Sequence, residues 1–145
     1  MSSDPLNVTH AITLKGPQLG WAIMNSFKQV ENRKFKMKQG WYVLHVGAGT
    51  RKNDAQFQSH IKSICPSIPD ESLLPKKCCI GLIHISSNVT YTPENNDPWA
   101  SGPVCNIIDK ILQFKTPIDC KGNLSIWKLP PDILEIIRRH LDVSV

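Results

Sequence analysis

Six residues, Trp41-Tyr42-Val43-Leu44-His45-Val46, are rich in aromatic and β-branched side chains and sit between Gly40 and Gly47. Such a run reads as a strand, and a strand is stable only when a sheet completes it. A second run, Cys79 to Ser86, reads as a buried strand, so the sheet already has two members. The 145 residues are enough for one domain, and 41% hydrophobic against 20% charged residues supplies a core and excludes a disordered chain. The longest nearly unbroken apolar stretch, Cys78 to Ile85, contains Gly81 and His84. It falls far short of the ~18 residues that a membrane span requires, so no membrane partner is expected.

The remaining elements are read around these two strands. His10 to Leu14 reads as a short strand, broken by Gly16-Pro17. A helix is expected from about Gln18 to Ser26, with Leu19, Ala22, Ile23 and Phe27 near helical spacing, and then a strand from Lys28 to Lys34. After Gly47-Ala48-Gly49-Thr50, a second helix should start at an Asn53-Asp54 cap and run through Phe57, Ile61 and Ile64 until Pro66 and Pro69 end it. Ser87 to Pro103, rich in Asn, Pro, Asp and Thr, reads as a long loop. Val104 to Phe114 fits strand or helix, and Leu124 to Leu129 fits a strand. Pro131-Asp132 opens a last helix whose Ile133, Ile136, Ile137 and Leu141 form one apolar stripe. This mixture is α+β, without repeat or linker: residues 1–10 are expected as a tail and 11–145 as the domain.

Met1-Ser2-Ser3-Asp4-Pro5 lacks the basic start and apolar stretch of a secretory leader, so the expected location is intracellular, cytoplasmic or nuclear. Three glycosylation sequons, at Asn7, Asn88 and Asn123, are then accidents of composition. Five cysteines (Cys65, Cys78, Cys79, Cys105, Cys120) are odd in number, include no C-x-x-C and fit reduced core thiols. The histidines His10, His45, His60, His84 and His140 show no metal-ligand spacing, so neither metal nor cofactor is expected. His45 and His84, each inside an apolar run, read as core or near-core residues. The signatures G-x-S-x-G, H-E-x-x-H and G-x-x-x-x-G-K-[ST] are all absent.

The net charge of +5 is unevenly spread. Between Lys28 and Lys52 lie seven basic residues and one acid, Glu31, whereas Ser87 to Val145 holds six basic and seven acidic residues. A basic patch of this density attracts polyanions by releasing their counterions, although a lysine-rich loop also serves solubility alone. The Gly47-Ala48-Gly49-Thr50-Arg51-Lys52 segment reads as a tight turn first and a phosphate nest second, since it lacks the third glycine of a dinucleotide fingerprint.

Trp21-Ala22, Lys28-x-x-Glu31-x-Arg33 and Gly40 with the strand to Val46 stand in an order that continues downstream. Gly81-Leu82-Ile83 follows, then Trp99-Ala100-Ser101-Gly102-Pro103, then Pro117-Ile118, Lys121-Gly122 and Ile126-Trp127-Lys128-Leu129-Pro130. Together these resemble the ASCH domain, a member of the PUA-like superfamily, over roughly Leu14 to Pro130. Ser26 stands where that family usually has a glycine before the lysine, and Gly20 where a proline commonly precedes the tryptophan. The resemblance implies a PUA-like mixed β-barrel with flanking helices and a cleft lined by the K-x-x-E-x-R segment.

On an extended segment Glu31 and Arg33 share one face and Val30 takes the other, so Lys28 joins the pair only if it sits in the turn before the strand. Glu31 should then hold both cations in place while they keep donors for a phosphate or a base carbonyl. Tyr91 and Trp99, in the long polar loop, are the candidate stacking rings; Trp21 and Trp127 read as core, and Trp41 as either. The first functional expectation is a nucleic-acid-binding module, RNA before DNA. It would hold phosphates on Lys34, Lys36, Lys38, Arg51 and Lys52, and a base or modified nucleoside against Lys28, Glu31 and Arg33. A second is an enzyme, an amidohydrolase or nuclease on nucleosides or RNA. Some ASCH-like proteins hydrolyse N4-acetylcytidine with a lysine matching Lys28 and a threonine three residues on, where this chain has Glu31. No catalytic residue is assigned; Lys28 and Glu31 would be the ones involved. A third is an adaptor in transcription coactivation that docks a protein partner on the last helix, if its apolar stripe is exposed.

Overall fold

The computed structural model describes residues 4–49 and 55–144, in which six strands and three helices follow one another. They are β1 (His10–Leu14), α1 (Pro17–Met24), β2 (Val30–Arg33), β3 (Gly40–Val46), α2 (Ala55–Ile64), β4 (Cys78–Thr90), β5 (Val104–Asp119), β6 (Ile126–Lys128) and α3 (Pro131–Ser144). The strands form one mixed sheet in the order β2-β5-β4-β3-β1-β6, curled into a half-barrel. All its neighbours are antiparallel except β1 and β3, which run parallel with Ala11 beside Val43. The β4–β5 register shifts at three places, between Cys79 and Gly81, His84 and Ile85, and Ile85 and Ser87. Such irregularities bend and twist a long ladder, which curls this sheet around its inner core.

The apolar runs at β3 and β4 are continuous, not alternating, because the middle of the sheet is covered on both faces. Ala11, Val43 and Leu82 pack with Ile137 and Leu141 of α3 on one side. Their neighbours Ile12, Leu44 and Ile83 pack with Ile23 and Met24 of α1 on the other. A third cluster joins Val30 and Ala22 to Ile61, Cys65 and Ile68 around α2. Gly20 lets α1 lie close to the sheet: a Cβ there would stand 2.7 Å from Val46 Cγ1 and 2.9 Å from Ile80 Cδ1. All five cysteines are free and buried, and burial pushes the Cys78 thiol up to about 11 and the Cys79 thiol higher still. None of the helices among the described residues is long and apolar enough to cross a membrane.

Several expectations need correction. Val104 to Phe114, open between strand and helix, is strand and extends to Asp119, because it pairs with β4 along its length and with β2 at its start, and its isoleucines pack into the clusters on either side. The loop expected from Ser87 is strand as far as Thr90: its polar residues pair with β5, Asn88 facing Asn106 and Thr90 facing Val104. At the other end Leu124 is exposed, and β6 is only Ile126–Lys128. The N-terminal segment expected as a tail is anchored, with Val8 in the core and Arg138 Nε donating to the Leu6 carbonyl at 3.2 Å. The Asn53-Asp54 cap lies outside the described residues.

The stripe of α3 is used internally. Ile137 and Leu141 are buried and Ile133 packs against their cluster, leaving Ile136 37% exposed. Of the stripe on which docking through this helix was to rest, Ile136 alone is exposed. Ile137→Ala should cost about 2–5 kcal/mol in urea unfolding, by lost transfer energy and the cavity left behind. Ile136→Ala should stay within about 0.5 kcal/mol, as exposed substitutions usually do. Equal losses at the two positions would contradict this packing.

His45 is buried beside Trp127, and its Nε2 donates to the Cys120 carbonyl at 2.8 Å. Burial lowers its pKa, with the carbonyl opposing in part. A histidine whose folded value is depressed contributes full stability above its ordinary pKa of about 6.5, and loses it as pH falls through the folded value. Urea midpoints measured between pH 7.5 and 4.5 should therefore fall below about pH 6.5, more steeply than in His45→Gln. Parallel pH profiles for the two proteins would refute it.

Candidate functional site

Parallel neighbours end on the same side of a sheet, so the segments leaving β1 and β3 diverge and open a crevice between them. Here that crevice is a cavity of about 890 Å³. Its floor is Thr13 and Leu14 at the end of β1, with the Lys15-Gly16 turn. One wall is Gln18 and Leu19 of α1 with Phe57 of α2, and another is Gly47 to Gly49 with Glu71. Lys28, Glu31, Asn32 and Arg33 face it, and Ser101, Leu124 and Ser125 complete the rim.

The turn after α1 places Lys28. Its backbone N–H and that of Phe27 both donate to the Ala22 carbonyl, at 3.1 and 2.9 Å, and Ser26 turns the chain with a φ of 64°. This left-handed conformation is costly for a side chain and suits glycine. Lys28 thereby enters from the turn and reaches the face that Glu31 and Arg33 share on β2. Its Nζ donates to the Val30 carbonyl and lies 3.3 Å from Glu31 Oε1. Arg33 Nε donates to Glu31 Oε2 at 2.8 Å, and Arg33 Nη2 donates to the Thr13 carbonyl at 3.0 Å. Each glutamate oxygen thus holds one cation, with Lys28 4% and Glu31 6% exposed. An ammonium has three donors and a guanidinium five, so Lys28 keeps one and Arg33 three beyond those named.

Asn106, which no sequence signature singled out, holds this arrangement from behind. It is fully buried and sits opposite Glu31 in the β2–β5 ladder. Its Nδ2 donates to the Glu31 carbonyl (3.1 Å), and its Oδ1 accepts from Met37 N (2.9 Å) and Asn88 Nδ2 (2.6 Å). An asparagine inside an apolar strand segment was the only signal for it. Asn32, between Glu31 and Arg33 on β2, pins the Trp99 loop: its Nδ2 donates to the Trp99 carbonyl, and its Oδ1 accepts from Ser101 N and Gly102 N.

That loop corrects the choice of stacking rings. Trp99 is 9% exposed and packs in the third core cluster, so its ring is not presented to a base. Tyr91 is half-exposed but covers Gly102 and stands outside the cavity lining. Lys34, Lys36 and Lys38 are exposed on the β2–β3 connection and do not line the cavity; Lys38 borders a smaller hollow with His10 and Tyr42. Arg51 and Lys52 lie outside the described residues. The segment from Gly47 forms the tight turn that was its first reading, its Gly47 and Gly49 amides donating to the Leu14 and Lys15 carbonyls.

A second carboxylate, also missed in the sequence, lies across the cavity. Glu71 is 7% exposed, and its Oε1 has no hydrogen-bond partner among the described residues, although Lys76 Nζ forms an ion pair with it at 3.5 Å. Gly49, with a φ of 80°, makes room for it, because a Cβ there would lie 1.7 Å from Oε1. Among the described residues no group of three or more side chains could hold a metal ion. The arrangement can bind a ligand that has acceptors for Lys28 and Arg33 and donors for Glu71. No protein-family model and no curated protein matches the chain.

Asn106→Ala should destabilise the protein by about 1–3 kcal/mol, since it strands Met37 N and the Glu31 carbonyl without partners. Urea unfolding reads the loss, and a change under about 0.5 kcal/mol would show that the carboxamide holds nothing.

Proposed function

We propose that the chain is a nucleic-acid-binding module of the ASCH type, within the PUA-like superfamily, that holds one unstacked base of an RNA in the cavity. What carries the reading is a cavity of about 890 Å³ faced by two cations that a buried glutamate keeps in place. That volume is within the range of small-ligand sites, about 300–1,000 Å³, and would admit a nucleotide. RNA is favoured over duplex DNA because sequence-reading proteins take its bases from unpaired loops and ends. The half-barrel with flanking helices and the order of Lys28, Glu31 and Arg33 support the ASCH assignment. Lys34 directly follows Arg33 and leads to Lys36 and Lys38, so a strand whose base enters the cavity meets exposed positive charge as it leaves.

Binding of a single-stranded RNA, followed by fluorescence anisotropy from 50 to 200 mM salt, tests this reading. For the intact protein, affinity should fall steeply with salt. The Lys34→Ala, Lys36→Ala, Lys38→Ala triple variant should flatten the logarithmic slope by about 2, at ~0.7 for each phosphate that is no longer neutralised. Lys28→Ala should weaken binding while leaving most of that slope. Equal affinity at both salt concentrations would overturn the proposal. Turnover of N4-acetylcytidine, abolished in Lys28→Ala, would replace it with the amidohydrolase reading.

A further inference from the structure

We infer that Glu71 is the specificity-determining residue of the cavity and that the base it selects is guanine. The inference rests on the base-binding reading above and adds to it the identity of the edge that is read. Glu71 lines the cavity with its carboxylate more than nine-tenths buried, and Oε1 has no hydrogen bond among the described residues. The Gly49 amide gives no help, because it donates to the Lys15 carbonyl at 3.0 Å. Lys76 approaches the same oxygen at 3.5 Å, beyond the usual length of a charge-assisted hydrogen bond. Buried polar atoms in folded proteins are almost always hydrogen-bonded, so a buried carboxylate oxygen with only a 3.5 Å ion pair calls for a donor from whatever fills the cavity.

The two carboxylates of the cavity differ in this respect. Glu31 is occupied at both oxygens, by Lys28 and by Arg33. Glu71 is acceptor-only and carries just the 3.5 Å ion pair with Lys76 at Oε1, and the terminal torsion of a glutamate is broad enough for its oxygens to turn toward a ligand. Among the bases, guanine alone places two adjacent N–H donors, N1–H and the N2 amine, on its pairing edge, with the O6 carbonyl beside them. Adenine and cytosine offer one amine next to a ring-nitrogen acceptor, and uracil offers one imide N–H between two carbonyls. A carboxylate facing any of those three meets a lone pair at its second oxygen. Guanine also supplies an acceptor, O6, for the donor that Lys28 retains.

Titration of the full chain with GMP, IMP, AMP, CMP and UMP at one salt concentration, followed by NMR shifts of the cavity residues, tests the inference. GMP should bind at least about tenfold more tightly than AMP, CMP and UMP, with IMP between because it keeps N1–H and lacks the amine. Glu71→Gln should weaken GMP by about tenfold or more, while UMP affinity changes little. An equal affinity for all five, or a lead by another base, overturns the role of Glu71 and leaves the base-binding reading standing. If no nucleotide shifts the cavity residues, that reading fails and this inference fails with it. The order of affinities in the intact protein decides the matter even if the Glu71→Gln variant does not fold.

Discussion

One carboxylate organises the open side of the half-barrel. Glu31 holds Lys28 with one oxygen and Arg33 with the other, and Arg33 then reaches across to the carbonyl of Thr13 on β1. β2 is an edge strand, four places from β1 in the sheet, so no ladder joins the two. The guanidinium supplies the link that backbone pairing cannot. Removing a single member would leave buried charges without partners, a much larger penalty than the net gain of the intact set. The same interaction therefore closes the fold and aims two cations into the cavity.

The cavity exists because of topology. β1 and β3 run parallel in a sheet that is otherwise antiparallel, so both chains leave on the same side and separate into α1 and α2. Small residues keep the space open. Gly47 to Gly49 pass along one wall, where Glu71 lies against the Cα of Gly49. Behind the other wall, Asn106 ties β2, β5 and the 34–39 connection together with two buried hydrogen bonds, to the Glu31 carbonyl and from Met37 N. The polar groups around Glu31 are thus held by specific partners, which preorganises Lys28 and Arg33 for a ligand.

Much of this was legible in the chain. Gly16-Pro17, the run from Trp41 and the stripe after Pro131 mark elements whose signals are local: a breaker, a β-branched cluster and a helical period. The pairing of Glu31 with Arg33 also followed from the alternation of a strand. The errors arose where a partner outweighed local composition. Ser87 to Thr90 look like loop residues but complete a ladder with β5, and Val104 to Phe114 showed no decisive period because parts of both its faces are covered. Trp99 looked free in its polar loop, yet Asn32 draws the backbone of that loop inward and its ring joins the core. The stripe of α3 was visible, but its covering by the sheet was not.

From sequence alone came the α+β character, the concentration of positive charge between Lys28 and Lys52, and the shared strand face of Glu31 and Arg33, whereas a cleft that also includes Lys28 was implied by the family resemblance. Each depends on residue type and short-range spacing, which covalent geometry turns directly into strand faces and helix stripes. Folding in three dimensions decided where the cavity opens, that the basic connection stands beside it and not within it, and that Glu71 and Asn106 belong to it. Glu71 is 40 positions from Glu31, and Asn106 is 75 from it. Only the parallel pairing of β1 with β3 and the ladder between β2 and β5 bring them together, because proximity at such separations is set by which strands become neighbours.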